Sequence, residues 1–591
     1  MTEPYSNGKG GEMSKRKKQS FLQGALVLMM GTLIVKVVSL LFKIPITNML
    51  SEASMSYFEN AYIFFTLFST LAAAGFPVAI SKMVADNTVL GRYRDNRKLL
   101  KLAITAFSIT GIVCTLLMFV GAGAFSKLIQ NPGAALSIMC LSPAVFFLCL
   151  TSAYRGYYQG LRNMYPTALS QVIEAVVKML CGVGFTYAAL RYTRNEFLTK
   201  GTVLGRAVES ESAAELLIGQ IGAGAALLGV VVSTAAGLLY LMLRHSISGD
   251  GIDRHVLASS PEPEDGNVMF HSLMELAIPI CLGSLALNLT SLIDMTTVMG
   301  RLTHVMEKGP EVVRQMYGSA IPADMADSLV PAHLYGAYTS IAVTISNIIP
   351  AVTTGFGISA LPLVSNAWTR NNHREISQSI STVLRITALF CVPAGIGISM
   401  LSAPICRLFF DRPMGIAIAA PMLGVLGLAS IFISMTTTLN SLLQAIGRAS
   451  VPVRLVLVGG LIKLVLNFIF VGMPSINMKA VAVSTLVCYV VIASLSIYVI
   501  RQVARVKISL PSILWKPAIA GTACGFTAVF AYDAISLRWD SRFAVLPAVC
   551  LGGLVYAVGI FLLKAVKKED ILMLPKGEKV AKILEKCSLI G

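Results

Sequence analysis

The chain has 591 residues, of which 55% are hydrophobic and only 13% are charged. A soluble domain carries about 25% charged residues, so this composition excludes a soluble globular protein. The net charge of +18 does not by itself indicate nucleic-acid binding, because an excess of Lys and Arg is also typical of the cytoplasmic loops of membrane proteins. We therefore expect a membrane protein with no nucleic-acid partner.

Long apolar segments separated by polar breaks recur along most of the chain. They are continuous and long enough to cross a membrane as helices, and they do not alternate as the strands of a membrane β-barrel do. This pattern predicts an all-α integral membrane protein with about fourteen transmembrane helices. The predicted spans are residues 21–46, 57–84, 99–125, 134–160, 165–190, 213–243, 269–299, 333–362, 377–402, 415–445, 451–472, 480–500, 512–533 and 543–565.

The polar connections predict the orientation of these spans. The even-numbered connections and the two tails hold an excess of Lys and Arg, whereas the acidic residues show no such bias. Basic residues mark the cytoplasmic side, so we expect both termini in the cytoplasm. The remaining cytoplasmic segments are then a basic N-terminal tail at 1–20, a polar linker at 245–268 and a basic C-terminal tail at 567–591.

Two sequence echoes predict an internal repeat. Gly75-Phe76-Pro77 ends span 2, and Gly355-Phe356-Gly357 ends span 8. Gln159-Gly160-Leu161-Arg162 after span 4 is matched by Gln444-Ala445-Ile446-Gly447-Arg448 after span 10, and each precedes a span with a lysine, Lys178 or Lys463. The echoes are six spans apart, so both halves enter the membrane in the same direction. This predicts two six-helix lobes related by a pseudo-twofold axis along the membrane normal. We expect an N-lobe at 21–244, a C-lobe at 269–500, and two extra helices at 501–566.

Charged side chains within the spans are candidates for a substrate-binding cavity. An unpaired charge at mid-span costs about 2.5–3.5 kcal/mol, so such residues usually have a function or a partner. Lys36 and Lys43 share one helix face, and the spacing of Glu174 and Lys178 favours an ion pair within one helix. Snorkelling to the headgroups, or a structural ion pair, remains the alternative. The candidates are Lys36, Lys43, Glu59, Arg155, Glu174, Lys178, Asp294, Arg385 and Lys463.

Two further patterns allow more than one interpretation. Gly75 with Pro77, and Gly355 with Gly357, are hinge candidates for a lobe motion, or simply notches where helices pack closely. The aromatic run Tyr154–Tyr158 suits either a membrane-interface belt or contact with a saccharide. Neither choice is decided by the sequence.

The chain lacks the common signatures of metal and nucleotide sites. It has no Cys-x-x-Cys pair, no His-Glu-x-x-His motif and no Gly-rich loop ending in Lys-Ser or Lys-Thr. We therefore expect no metal and no cofactor, and we expect any transport to be driven by the membrane potential or an ion gradient.

Three motifs resemble those of a known family: Lys36 with Lys43-Ile44-Pro45, the run Gly75–Lys82, and the run Tyr154–Ala168. They are similar to the stage V sporulation protein B / polysaccharide biosynthesis family. That family is related to MurJ-like lipid II flippases, within the multidrug/oligosaccharidyl-lipid/polysaccharide exporter superfamily. The resemblance implies a flippase of the bacterial cell membrane that moves a polyprenyl-pyrophosphate-linked saccharide, most directly lipid II, to the outer leaflet by alternating access. Lys36 and Lys43 would then serve the pyrophosphate, and membrane lipids and cell-wall synthesis enzymes would be partners.

Two other functions remain open from the residues. A multidrug or cation antiporter of the same superfamily would need an acidic centre, for which Asp294 and Glu59 are the candidates. A membrane-embedded glycosyltransferase would need catalytic groups in the long loop 300–332. That loop offers His304, Glu307, Glu311, Asp324 and Asp327, but without a known catalytic spacing. We expect a transporter and not an enzyme.

Overall fold

The structure is a computed structural model that describes residues 21–70, 75–208, 210–370, 372–506, 510–539 and 541–566. The two predicted tails, 1–20 and 567–591, lie outside the described residues. Apart from one short hairpin, the described chain is helical, which confirms the predicted all-α fold class.

Eight helices and the hairpin make up the first half, here called the N-lobe. Ser51 and Ser210 cap the starts of two of these helices by accepting a backbone N–H. Gly201, in the left-handed conformation, ends the seventh. The elements are α1 (Phe21–Met49), α2 (Glu52–Ser69), α3 (Phe76–Val89), α4 (Tyr93–Leu128), α5 (Ala134–Leu141), α6 (Pro143–Gly160), α7 (Tyr165–Lys200), β1 (Thr202–Val203), β2 (Arg206–Ala207) and α8 (Glu211–Ser248).

A linker with one short helix, α9 (Arg254–Ala258), leads to the second half. Its C-lobe comprises α10 (Gly266–Lys308), α11 (Pro310–Tyr317), α12 (Val330–Ala337), α13 (Thr344–Ser346), α14 (Ile348–Thr369), α15 (His373–Met400), α16 (Ser402–Phe409), α17 (Pro413–Ala445), α18 (Ser450–Leu466) and α19 (Lys479–Ala504). Two π-helical segments, Tyr338–Val343 and Asn467–Val471, interrupt it. The chain continues with α20 (Leu510–Ser536) and α21 (Val545–Leu562).

The helices of the two lobes pack in corresponding pairs. In the N-lobe, α7 packs along α1 and α8, and in the C-lobe α18 packs along α10 and α19. Likewise α4 packs on α6, as α15 packs on α17. These are the pairs that a repeat of six spans predicts. Helices α20 and α21 pack on each other and reach the C-lobe through α15.

The predicted spans all coincide with helices. By length and composition, eleven helices in the described part of the chain could cross a membrane, or twelve if the pair Asp327–Ser346 and Ile348–Gly357, bent by 40°, is one span. The two predicted spans outside this count are span 2, which falls on α2 and α3, and span 7, which falls on α10. Large apolar side chains such as Ile112, Leu116 and Val120 lie exposed on one face of α4, as expected of a surface that faces lipid.

The two lobes contact each other between α3 and α10 and also where α1 ends and α2 begins. The second place is here called the outer end because the topology prediction places it outside. The Asn48 side-chain amide donates to the Phe409 carbonyl oxygen (3.2 Å) and accepts the Asp411 N–H (3.0 Å), and Arg412 donates to the Asn48 carbonyl oxygen (3.0 Å). Gly336 of α12 packs so closely on the Glu52 carbonyl oxygen of α2 that a methyl group there would collide with it. The lobes are therefore joined at the outer end.

Candidate substrate-binding site

Three lysines of the N-lobe form one group, here called the basic cluster: Lys36 and Lys43 on α1 and Lys178 on α7. Because α1 packs along α7, the Lys178 ammonium reaches α1 and donates to Ser39 Oγ at 3.1 Å. Lys178 is close enough to Glu174 for their charges to attract, although the two form no ion pair, and close enough to Lys36 and Lys43 for those charges to repel. Lys36 is exposed and makes no ion pair among the described residues.

Two of these lysines are held against aromatic rings. The Lys43 ammonium lies 5.1 Å from the centre of the Phe58 ring and forms an ion pair with Glu59. The Lys178 ammonium lies 5.3 Å from the centre of the Phe42 ring. Cation–π contact compensates part of the lost hydration of an ammonium, so these rings stabilise the two lysine side chains inside the bundle.

Glu174 and Arg155 form an ion pair between α7 and α6. An Arg155 terminal nitrogen lies 2.7 Å from Glu174 Oε1, and Arg155 Nε donates to Ser170 Oγ at 3.0 Å. The pair that the sequence favoured, Glu174 with Lys178 one turn further along α7, does not form. The planar guanidinium of Arg155 engages Ser170 and Glu174 together, which fixes the carboxylate towards α6.

The C-lobe holds a second pair of charges. Lys463 of α18 is buried, and its ammonium lies 2.6 Å from Asp294 Oδ2 on α10. The Asn467 amide donates to the other Asp294 oxygen (2.9 Å), and the Ser484 hydroxyl donates to the Asn467 carbonyl oxygen (2.5 Å). This network satisfies both charges within the protein.

Arg385 belongs to neither group. It is buried on α15, which packs mainly on α14, α17 and α20, and it donates to Thr382 Oγ1 at 3.3 Å. The nine predicted residues thus fall into an N-lobe group of six, the Asp294–Lys463 pair, and Arg385.

The hinge candidates lie where helices pack closely. Gly75 precedes α3, and a methyl group there would collide with the Ala277 carbonyl oxygen of α10. A methyl group at Gly357 would come within 2.7 Å of Ser441 Oγ on α17. Pro77 lies in the first turn of α3, and Gly355 lies within α14. These glycines permit close helix contacts, and their role as hinges remains a prediction.

The aromatic run of α6 has a role that neither sequence interpretation foresaw, because it anchors the linker between the lobes. Tyr157 donates to Asp250 Oδ2 (3.1 Å), and the Tyr158 hydroxyl lies 3.2 Å from His245 Nδ1. Arg97 of α4 donates two hydrogen bonds, of 2.8 and 3.1 Å, to the same carboxylate. Burial would raise the pKa of Asp250, but the hydrogen bonds from Arg97 and the Ile252 N–H lower it below its ordinary value.

Several residues that an antiporter or a glycosyltransferase would need make structural contacts instead. Asp294 and Glu59, the acids an antiporter would need, are each ion-paired with a lysine. The segment 300–332, expected to be a loop, instead forms the end of α10, the helix α11, short turns and the start of α12, and within it Asp327 is ion-paired with Arg314 at 2.7 Å. These contacts favour neither a cation site nor a catalytic group at those positions.

Several residues of the site were not identified from the sequence. Ser39 lies one turn after Lys36, and Asn467 lies one turn after Lys463, so helical spacing from each lysine would have indicated them. Phe42, Phe58 and Ser484 carry no comparable signal, because apolar rings and hydroxyls are common throughout the spans.

The many long apolar helices and the charges buried between them define a multi-pass membrane protein. Two family models match the chain, one in each half. The polysaccharide biosynthesis protein family matches residues 21–195, and the MatE family matches residues 324–469. The first match confirms the predicted resemblance to the polysaccharide biosynthesis family, whereas the MatE family was not among the families named from the sequence.

Curated relatives agree with this assignment. The chain is 26% identical to the lipid II flippase MurJ of Bacillus subtilis (strain 168) over 76% of each chain. It is 23% identical to stage V sporulation protein B of the same organism, over 94% of this chain and 98% of the relative.

Solved structures share the fold. The lipid II flippase MurJ in its inward closed conformation aligns with a TM-score of 0.58 at 14% identity, over 91% of this chain and 98% of that one. An inward-facing MATE family multidrug transporter of the MOP superfamily aligns with a TM-score of 0.54 at 13% identity, over 81% of this chain and 98% of that one. The chain therefore shares the helical membrane-protein fold of these two structures.

Proposed function

We propose that this protein is a flippase that moves a polyprenyl-pyrophosphate-linked cell-wall precursor, most directly lipid II, from the inner to the outer leaflet of the bacterial cell membrane. Its relative MurJ is named a lipid II flippase, and the charge arrangement of the N-lobe suits such a headgroup. Both termini would lie in the cytoplasm, and the enzymes of cell-wall synthesis would supply and use the lipid.

The uncompensated positive charge of the N-lobe is the observation on which this proposal depends. Lys43 is paired with Glu59 and Arg155 with Glu174, so the remaining cations are Lys36 and Lys178. Four cations and two carboxylates leave two positive charges, which equals the negative charge of a diphosphate diester. An ammonium binds phosphate as a point charge without bidentate geometry, so this site would hold the headgroup while allowing it to turn.

The two-lobe architecture supports transport by alternating access. A charged headgroup must pass a hydrocarbon layer about 30 Å thick, while its polyprenyl tail remains in lipid. The lobes are joined at the outer end through Asn48 and Glu52, so a headgroup on the basic cluster would be closed off from that side. Release would require these contacts to part, driven by the membrane potential or an ion gradient.

Reconstitution tests the proposal. The protein is inserted into liposomes with fluorescent lipid II, and outer-leaflet exposure is followed with and without an imposed membrane potential. We expect Lys36→Ala to slow flipping at least about tenfold, since a hydrogen bond to a charged group contributes about 1.5–3 kcal/mol. Lys36→Arg keeps the charge and should retain most of the rate.

Lys101→Ala is the matched control, because Lys101 is exposed near the start of α4, away from the basic cluster. It should flip at the wild-type rate. Full activity of both Lys36→Ala and Lys178→Ala at wild-type protein levels would contradict a role for the basic cluster in transport.

A further inference from the structure

A ladder of aromatic rings runs from the basic cluster along α2. The Phe42 and Phe58 ring centres are 6.2 Å apart, and Phe58 stacks on Tyr62 with ring centres 6.0 Å apart and an interplanar angle of 9°. Tyr62 in turn contacts Phe65 at 5.8 Å. Phe42, Phe58 and Phe65 are buried, whereas Tyr62 is only partly buried. Tyr62 is therefore the ring of this ladder that a ligand can reach.

The hydroxyl group of Tyr62 has no assigned structural role. It makes no hydrogen bond to any residue that the structure describes, although Tyr157 and Tyr158 of the same lobe both use theirs. A tyrosine hydroxyl can donate one hydrogen bond and accept others, and it usually finds a partner when buried. Tyr62 is partly exposed, and its hydroxyl is therefore free to form a hydrogen bond with a ligand.

The charges around Tyr62 decide which part of a ligand suits it. Glu59 lies three residues before Tyr62 on the same helix, and Glu174 is close enough for its charge to act on the phenol. Both carboxylates are ion-paired, Glu59 with Lys43 and Glu174 with Arg155, so the diphosphate is attracted to the remaining lysines and not to this place. A paired carboxylate still accepts hydrogen bonds from hydroxyl groups, but it is costly beside a hydrocarbon chain. The surroundings of Tyr62 thus suit a hydroxyl-bearing group better than the diphosphate or the prenyl tail.

We propose that Tyr62, with the carboxylates of Glu59 and Glu174, forms a subsite for the saccharide attached to the diphosphate, adjoining the phosphate subsite at Lys36 and Lys178. This rests on the proposed function and adds a specificity-determining residue to it. The Tyr62 hydroxyl hydrogen-bonds a saccharide hydroxyl, and its ring packs against the apolar face of the sugar. A lipid without the sugar leaves this subsite empty.

Binding measurements on the full-length protein in nanodiscs test this subsite. The two probes are undecaprenyl diphosphate and the same lipid carrying a disaccharide. We expect Tyr62→Phe to weaken binding of the disaccharide probe about three- to tenfold, as for loss of one hydrogen bond. Tyr62→Ala should weaken it further, because the ring is lost too. Binding of undecaprenyl diphosphate should stay within about twofold for both variants, since its phosphates contact the lysines.

Control variants separate this proposal from the proposed function. Tyr192→Phe, at an exposed position on α7, should change neither affinity. Lys36→Ala should weaken the binding of both probes by the same factor. Equal weakening of both probes by Tyr62→Phe, or no weakening of either, would overturn the saccharide subsite while leaving the flippase proposal intact. Absence of binding of either probe to the wild-type protein would overturn both. If Tyr62→Ala fails to give a monodisperse protein, Tyr62→Phe decides.

Discussion

Lys178 and Lys463 occupy matching places in the two halves of the chain, 285 residues apart, on helices that pack in matching ways. Their partners differ. Lys463 is 2.6 Å from an aspartate oxygen and is buried with it, whereas Lys178 donates to a serine hydroxyl beside two further lysines. The lysine at this repeat position is therefore neutralised by a carboxylate in the C-lobe, whereas in the N-lobe it belongs to a cluster with excess positive charge.

This difference separates a structural charge from a charge available to a ligand. An ammonium that is ion-paired with a buried carboxylate binds phosphate weakly. Moving to the phosphate would leave the carboxylate buried without a counter-charge, which is costly in free energy. An ammonium held by a hydroxyl and an aromatic ring keeps its charge uncompensated. The comparison therefore predicts that the N-lobe lysines carry substrate binding and that the C-lobe pair holds its helices together.

The largest expected effect comes from breaking the C-lobe pair. Asp294→Asn leaves the Lys463 ammonium buried without a counter-charge, and loss of one partner of a buried pair costs about 3–5 kcal/mol. We expect a sharp fall in melting temperature in detergent. The double variant Asp294→Asn with Lys463→Met removes both charges and should recover most of the stability. A single variant as stable as wild type would contradict the structural role of this pair.

The corresponding N-lobe change should show the opposite pattern. Lys178→Met removes an ammonium that the protein itself binds only weakly, so the melting temperature should change little. Lipid II flipping in liposomes should fall about ten- to a hundredfold, in line with one lost charge-assisted contact of about 1.5–3 kcal/mol. If Lys178→Met lowered the melting temperature as much as Asp294→Asn, the N-lobe lysine would have a structural role too. The proposed difference between the two lobes would then be wrong.

The comparison can be sharpened by giving the N-lobe lysine a carboxylate of its own. Ser39→Asp places an acid beside Lys178 and imitates the arrangement of Asp294 with Lys463. We expect the protein to fold normally but to bind a diphosphate lipid about tenfold more weakly, because one positive charge is now neutralised. Ser39→Asn has nearly the same shape without the charge and should bind normally. Similar binding by both variants would show that charge at this position is unimportant.

The smallest expected effect concerns a pair outside the membrane. The pKa of Asp250 is lowered, so its contact with Arg97 stabilises the docked linker above the ordinary pKa of an aspartate and is lost as pH falls through the lowered value. Acidification should therefore loosen the linker, measured as faster cleavage by a protease after Arg254. Asp250→Asn should cleave faster already at pH 7 and show little further change on acidification. Surface pairs contribute about 0–1 kcal/mol, so flipping should hardly change.

The span prediction succeeded because its signal is local. An apolar run of about 20 residues must form a helix in lipid, since every backbone N–H and carbonyl group needs a partner within the segment. Within the residues that the structure describes, every predicted span falls on helices for this reason. The bend at Asn347 was not predicted, because it interrupts a run whose composition continues unchanged.

The site prediction was partial because charge pairing between helices has no local signal. The residues Arg155 and Glu174 are on different helices, and nothing in the spacing distinguishes Arg155 from Lys178 as the partner of Glu174. Tyr62 was not predicted as a site residue either. Tyrosines are common in the apolar segments, and only the tertiary structure shows which side chains surround this one.

The sequence alone determined that this is a helical membrane protein, which segments are helices, and which residues place charge inside them. These properties depend on composition and on spacing within one helix. Only the tertiary structure decided which charges neutralise each other and which remain available, because that depends on how α1 lies against α7 and α10 against α18. Electrostatic energy falls steeply with distance and exposure, so contacts between helices decide it.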